Sequence, residues 1–298
     1  MENKFAVKKK ISTFDIVVYI VLGIISIITI YPFYNVLILS FAKFEVITKS
    51  NLYILPLSFD LSAYKAVLGD LKFFRSLLVS VFVTVVGVTV NMVISVSGAY
   101  ALSKKKMPGR NIILTGILFT MFFSGGLIPY YLVISKLKLV NNIMVMIIPT
   151  AINTMYLIIM KNYFSTIPAS LEESAKIDGA GDMYILIKII LPISAPFIAT
   201  FALFYGVERW NEWWNALMFI NESTKAPLQI YLREVLITFN SMLSDIALNQ
   251  AQDKMLKNVY TPSLQMAAVV ITSVPILLLY PFLQKHFTKG ILIGSIKG

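Results

Sequence analysis

Six stretches of this chain contain no charged residue at all: Ile16–Ala42, Ser76–Ser103, Asn111–Ser135, Leu139–Met160, Ile189–Val207 and Asn258–Gln284. Each is near or above the ~20 residues that cross ~30 Å of hydrocarbon at ~1.5 Å per residue. Polar and apolar residues do not alternate with period two, which disfavours a transmembrane β-barrel. Helices are the other way to satisfy backbone polar groups in lipid. The pattern therefore predicts an all-α, polytopic membrane protein with six transmembrane helices and both termini on one side. Composition agrees. Charged residues make up 14% of the 298 positions, against about 25% in a typical soluble domain, and the mean hydropathy is +0.77. An ordinary soluble enzyme and a disordered chain are both excluded.

Positive charge sets the orientation. Lys4, Lys8, Lys9 and Lys10 precede the first stretch, and Lys104, Lys105, Lys106 and Arg110 fill the short loop after the second. Lys285, Lys289 and Lys297 follow the last. In a six-span arrangement all of these share one face, which the positive-inside rule makes cytoplasmic. Lys43–Arg75 and Phe219–Lys257 then lie outside. Much of the net charge of +11 is accounted for by topology, so no nucleic-acid partner is inferred. Ser40-Phe41-Ala42 loosely resembles a signal-peptide cleavage site, but the apolar run before it is about twice the usual h-region, so an uncleaved anchor is expected. The expected organisation is residues 1–71 as N-terminus, first span and extracellular loop, 72–287 as a five-helix core, and 288–298 as a cytoplasmic tail.

The residues offer little for catalysis. The chain has no cysteine and one histidine, His286. That removes disulfides, thiol nucleophiles and Cys-ligated metals, and makes a His-based metal centre or a Ser-His-Asp triad a poor reading. No G-x-x-x-x-G-K-[ST] phosphate loop is present, so ATP is not bound here in the P-loop manner. No catalytic residue, metal or cofactor is assigned to this chain. Gly23, Gly87, Gly98 and Gly116 read as close-packing positions, Met144, Met146, Met155 and Met160 as packing residues, and Pro149, Pro196 and Pro275 as kinks within or near spans.

The informative segment is the cytoplasmic loop Lys161–Lys188. Pro168 suits a first helical turn, Ser170 and Glu173 have capping-box spacing, and Gly179 is a natural helix stop. Asp182 can cap a second helix running toward Ile189-Ile190-Leu191-Pro192. Two short helices around a glycine on the inner membrane surface make a projecting hairpin, the shape of a docking element.

Glu173-Ser174-Ala175, then Gly179, then Ile189-x-Leu191-Pro192 resembles the "EAA" loop of ABC importer permeases, with serine where alanine is usual. Tyr100-Ala101-Leu102-Ser103 with Met107-Pro108-Gly109-Arg110 is similar to a stretch of carbohydrate importer permeases. Phe123-Ser124-Gly125-Gly126-Leu127-Ile128-Pro129 and Trp210-Asn211-Glu212-Trp213-Trp214-Asn215 resemble the branch serving complex oligosaccharides, and specifically a maltose-type second permease. The resemblance covers roughly residues 70–298, and more loosely the first span. It implies a type I ABC importer permease fold whose cytoplasmic coupling helix, in a loop at about 163–190, docks on an ATPase. The coupling residues would be Glu172, Glu173, Ser174, Ala175, Asp178, Gly179, Ile189, Leu191 and Pro192.

The implied partners are a second, non-identical permease, two ATPase subunits carrying ATP and Mg, an extracellular solute-binding protein, an oligosaccharide and membrane lipid. The implied location is a bacterial cytoplasmic membrane. The tail containing Gly290 and Gly294 resembles an extension that reaches between ATPases; a frayed basic end is the other reading.

For the sugar path, Glu208, Trp210, Asn211, Trp214 and Asn215 are candidates. A membrane-embedded charge costs about 2.5–3.5 kcal/mol and points to function, rings stack on sugar faces, and amides satisfy hydroxyls. The competing reading is a set of interfacial tryptophan anchors, with Glu208 pairing with Arg209 or Glu212 at the water boundary. Two other function classes stay open on sequence: an ion-coupled secondary transporter using Glu208 or Glu212, and a membrane scaffold without a transport role.

Overall fold

The computed structural model describes residues 12–42, 59–237 and 262–295, with side chains up to residue 278. Lys4, Lys8, Lys9, Lys10, Lys297 and about half of the two predicted outer segments lie outside these residues. No strand occurs among the described residues.

The backbone forms two compact units, one from residues before 70 together with the start of the last helix, the other from residues 70–237 with the remainder of that helix. In the first, α1 (Thr13–Ser40) is long and apolar enough to cross a membrane and exposes nearly every side chain along its first two-thirds. Its capping box is Ser12 with Asp15. At its other end Ser40 Oγ shares a 2.7 Å hydrogen bond with Tyr64 Oη from α2 (Ser62–Gly69), and Phe41 stacks on Phe59 and Tyr64.

The second unit is built around α3 (Leu71–Ser103), capped by Asp70, whose carboxylate accepts from the Lys72 amide at 2.8 Å. Ser76, Ser80, Val83, Gly87, Asn91, Ser95, Ala99 and Leu102 are buried along it. Their spacing of three or four residues makes one face of mostly small side chains, which lets neighbouring backbones approach closely. Onto α3 pack α6 (Thr154–Phe164) and α9 (Ala195–Trp210). Two apolar clusters result. One gathers Tyr100, Leu102, Met160, Phe164, Ala175, Ile185 and Tyr205 toward the basic loop. The other gathers Val83, Ile134, Met146, Ile147, Ala216 and Phe219 toward the opposite end. Gly87 and Gly98 serve close packing as expected, against Arg209 and Leu157, whereas a Cβ on Gly23 or Gly116 would meet nothing within 4 Å.

The uncharged stretches are not all straight helices. Among the described helices, α1 and α3 are each long and apolar enough to cross a membrane alone. The third stretch divides into α4 (Arg110–Phe122) and α5 (Leu127–Lys136), interrupted where Gly126 takes φ +83°. The fourth holds a 3-10 turn, Ile143–Met146, and irregular backbone around Pro149 before Asn153 caps α6. The fifth bends by 89° between Asp182–Ile193 and Ala195–Phe219, at Ser194 just ahead of Pro196. Non-helical backbone survives at such depth only where protein groups satisfy it. The last described helix is α11 (Pro262–Ser295), which contains Pro275.

Candidate functional site

The loop 161–188 folds as the predicted hairpin. Its first arm, α7 (Ala169–Ile177), starts from Pro168 without a side-chain cap, so the Ser170 capping box is not used. Glu172 sits in its first turn and Lys176 in its last, each at the favourable end of the helix dipole, with Glu173 midway between them. The stop is a Schellman turn: the Ala180 amide donates to the Ala175 carbonyl at 2.9 Å and the Gly179 amide to Lys176 at 3.0 Å. Gly179 has φ +84°, a conformation that side-chain-bearing residues adopt at a cost.

The second arm, α8 (Asp182–Ile185), continues through a π-turn at Leu186–Ile190 into Leu191–Ile193. Here Gly181 takes the cap position and Asp182 the first helical one. The Asp182 carboxylate pairs instead with Lys176 across the turn at 2.8 Å. That bond holds the Asp182 carboxyl below its ordinary range and raises the Lys176 ammonium.

Both arms border one concavity of about 480 Å³, lined by Ala175, Asp178, Gly179, Ala180, Gly181, Tyr184 and Ile189. Ala175 is buried, while Ile189 and Leu191 are half-buried against the same apolar cluster. Glu173, Ser174, Asp178 and Pro192 are exposed, and Ile177 is 86% exposed, an apolar side chain held out on a polar hairpin. Glu172 behaves differently. It turns back to Lys104 at the end of α3 in an ion pair.

The other candidate residues lie at the end of α9 and in α10 (Trp214–Phe219). Glu208 is exposed and accepts from Tyr156 Oη at 2.7 Å and Asn153 Nδ2 at 3.4 Å. Asn211 is exposed, held by the Val207 carbonyl and by Gln229. Trp214 is 47% exposed and walls a cavity of about 490 Å³ together with Ser124, Gly125, Gly126, Leu127, Pro129, Tyr130 and Val133. Two motifs far apart in sequence thus meet.

Trp210 and Asn215 lie inside the protein. Trp210 Nε1 donates to the Thr272 carbonyl at 3.2 Å. Asn215 takes a 2.7 Å hydrogen bond from Tyr130 Oη and sits against Glu212. Both side chains are buried within this chain. Gly290 and Gly294 fall in the last part of α11, beyond the described side chains.

Arg209 does not form the boundary ion pair with Glu208 that the sequence suggested. It is 4% exposed, and its guanidinium donates to Asn91 Oδ1 at 2.9 Å, to Thr150 Oγ1 at 2.6 Å and to the carbonyls of Met146 and Thr150. Asn91 Nδ2 donates to the carbonyls of Thr150 and Ala151, both at 2.9 Å. Together these two side chains satisfy the irregular backbone of the fourth stretch. Gly87 makes the room, since a Cβ there would lie 2.8 Å from Arg209 Cδ. An amide in the middle of an uncharged span was the signal for this network, and sequence reasoning passed over Asn91.

A helical bundle around a small-residue helix with a projecting hairpin is the architecture of a membrane permease subunit, and the similarity to known proteins bears this out. No family model matches the chain. It is 43% identical over 287 residues to the polygalacturonan/rhamnogalacturonan transport system permease protein YtcP of Bacillus subtilis, covering 96% of this chain and 98% of that one. It is 45% identical over 287 residues to protein LplC of the same organism, covering 96% and 95%. Among solved structures it resembles, at TM-score 0.82 and 34% identity, a chain of a bacterial ABC transporter involved in the import of the acidic polysaccharide alginate, covering 92% of this chain and 96% of that one. The chain belongs to the carbohydrate ABC transporter permeases. It is therefore a membrane-embedded transport subunit rather than an enzyme, of a kind that works with a partner permease, ATPases and a solute-binding protein.

Proposed function

We propose that this chain is one half of a heterodimeric permease pair importing oligosaccharides or polysaccharide fragments across a bacterial cytoplasmic membrane, with both termini inside. A different permease completes the path, two ATPase subunits bind ATP and Mg, and an extracellular binding protein delivers the sugar. The polygalacturonan/rhamnogalacturonan and alginate in the relatives' names support the polymer-fragment class. The hairpin from Ala169 to Pro192 is the ATPase-docking element. The observation that carries this is its presentation: Glu173, Ser174, Ile177 and Asp178 stand exposed on a short helix whose other side is anchored through Ala175. Glu208, Asn211 and Trp214, with Tyr156 and Asn153 beside Glu208, line the sugar path.

ATP-driven closure of the ATPases would push the hairpin, and the bundle would rock between outward- and inward-open states. Purification of tagged protein in mild detergent tests the docking. Wild type brings down an ATPase and a second permease; Glu173→Lys and Gly179→Pro keep the permease and lose the ATPase. A wild-type protein that emerges alone across several detergents contradicts the reading.

A further inference from the structure

A docking helix transmits motion only if it is fastened to the helices it must move. The Lys104–Glu172 pair is the polar fastening between α7 and α3. Glu172 is the more enclosed of the two adjacent glutamates, its side chain 18% exposed, while Glu173 faces outward. Lys104 lies where α3 ends and its backbone becomes extended. Its ammonium bonds Glu172 and also sits 3.9 Å from the centroid of the Tyr100 ring, one turn earlier on α3. Lys105 and Lys106, next in sequence, are exposed. One of three successive lysines is thus held in place between a ring face and a carboxylate. That geometry restricts the side chain far more than a surface pair does, where such contacts are worth little. The apolar side of the same junction is Ala175 against Tyr100, Leu102 and Phe164.

On the reading that α7 docks on an ATPase, we propose that Lys104 and Glu172 are a positioning pair that fixes the coupling helix to the inner end of α3, so that its displacement becomes movement of the bundle. Glu173 meets the partner and Glu172 does not. The adjacent acidic residues divide into an outward contact and an inward tie.

The test uses the whole transporter, purified with its partners and reconstituted in vesicles, with sugar uptake and ATP hydrolysis measured together. Lys104→Glu and Glu172→Lys are expected to retain the ATPase subunits yet deliver about tenfold less sugar per ATP, within the usual range of coupling between sites. The double exchange Lys104→Glu with Glu172→Lys restores the ratio, and Lys104→Arg keeps it. Co-purification of the second permease verifies that each variant is folded. Single variants with the wild-type ratio would overturn the proposal, as would a double exchange that rescues nothing. So would Glu172→Lys releasing the ATPase as Glu173→Lys does, because Glu172 would then be a docking contact. Absence of an ATPase from the wild-type complex would instead refute the docking reading itself.

Discussion

At the residue scale the most consequential side chain is Arg209. Its position at the end of an uncharged stretch invites a pairing with a neighbouring carboxylate. Helical geometry opposes that pairing: adjacent residues on a helix point about 100° apart, so Glu208 faces outward when Arg209 faces α3. Buried among Asn91, Thr150 and two carbonyls, the guanidinium spreads its charge over dipoles instead of a counter-ion. Arg209→Met leaves several of those acceptors unsatisfied, at about 3 kcal/mol in all. Thermal unfolding in detergent should show a midpoint about 5–10 °C lower. Glu208→Gln, on the exposed side of the same helix, should change stability by no more than about 0.5 kcal/mol. Equal losses from both substitutions would place the anchoring in Glu208 as much as in Arg209.

Elements differ in how far the sequence revealed them. The hairpin was legible because its punctuation is local: a proline, a glycine at φ +84° and an acidic first turn each act within a few residues. Its fine structure was less so. Asp182 is the first helical residue, not the cap, because pairing with Lys176 across the turn competes for the same carboxylate.

Charge-free length found the membrane-embedded segments but not their breaks. Hydropathy is blind to backbone conformation, and the groups that satisfy the irregular fourth stretch come from α3 and α9, far away in sequence. The break between α4 and α5 is a sharper case. Gly126 has φ +83° and ψ 179°, a region essentially reserved for glycine. A Cβ there meets no neighbouring atom, so any penalty is conformational rather than steric. Gly126→Ala should cost about 1–3 kcal/mol, read as a lowered unfolding midpoint. Gly116→Ala, in ordinary helix with open space around it, should be neutral or slightly stabilising. An unchanged midpoint in Gly126→Ala would mean that the break can be rebuilt as continuous helix.

For the whole molecule, the distribution of positive charge predicts a topology that puts the hairpin on the inner face, where a partner that supplies the energy can reach it. The family and the transport role were legible through short motifs. The burial of individual candidates was not, because a tryptophan at the end of a span looks the same in sequence whether it is buried like Trp210 or half-exposed like Trp214. The central claim is that the Ala169–Pro192 hairpin meets an ATPase. With no native cysteine in the chain, Ile177→Cys supplies a single thiol at its most exposed apolar position. Treating native membranes with a short thiol–amine cross-linker tests the claim most directly. The account predicts a cross-link to an ATPase polypeptide whose yield changes with bound nucleotide. A thiol that labels readily with a water-soluble reagent yet never captures an ATPase, in any nucleotide state, would contradict it.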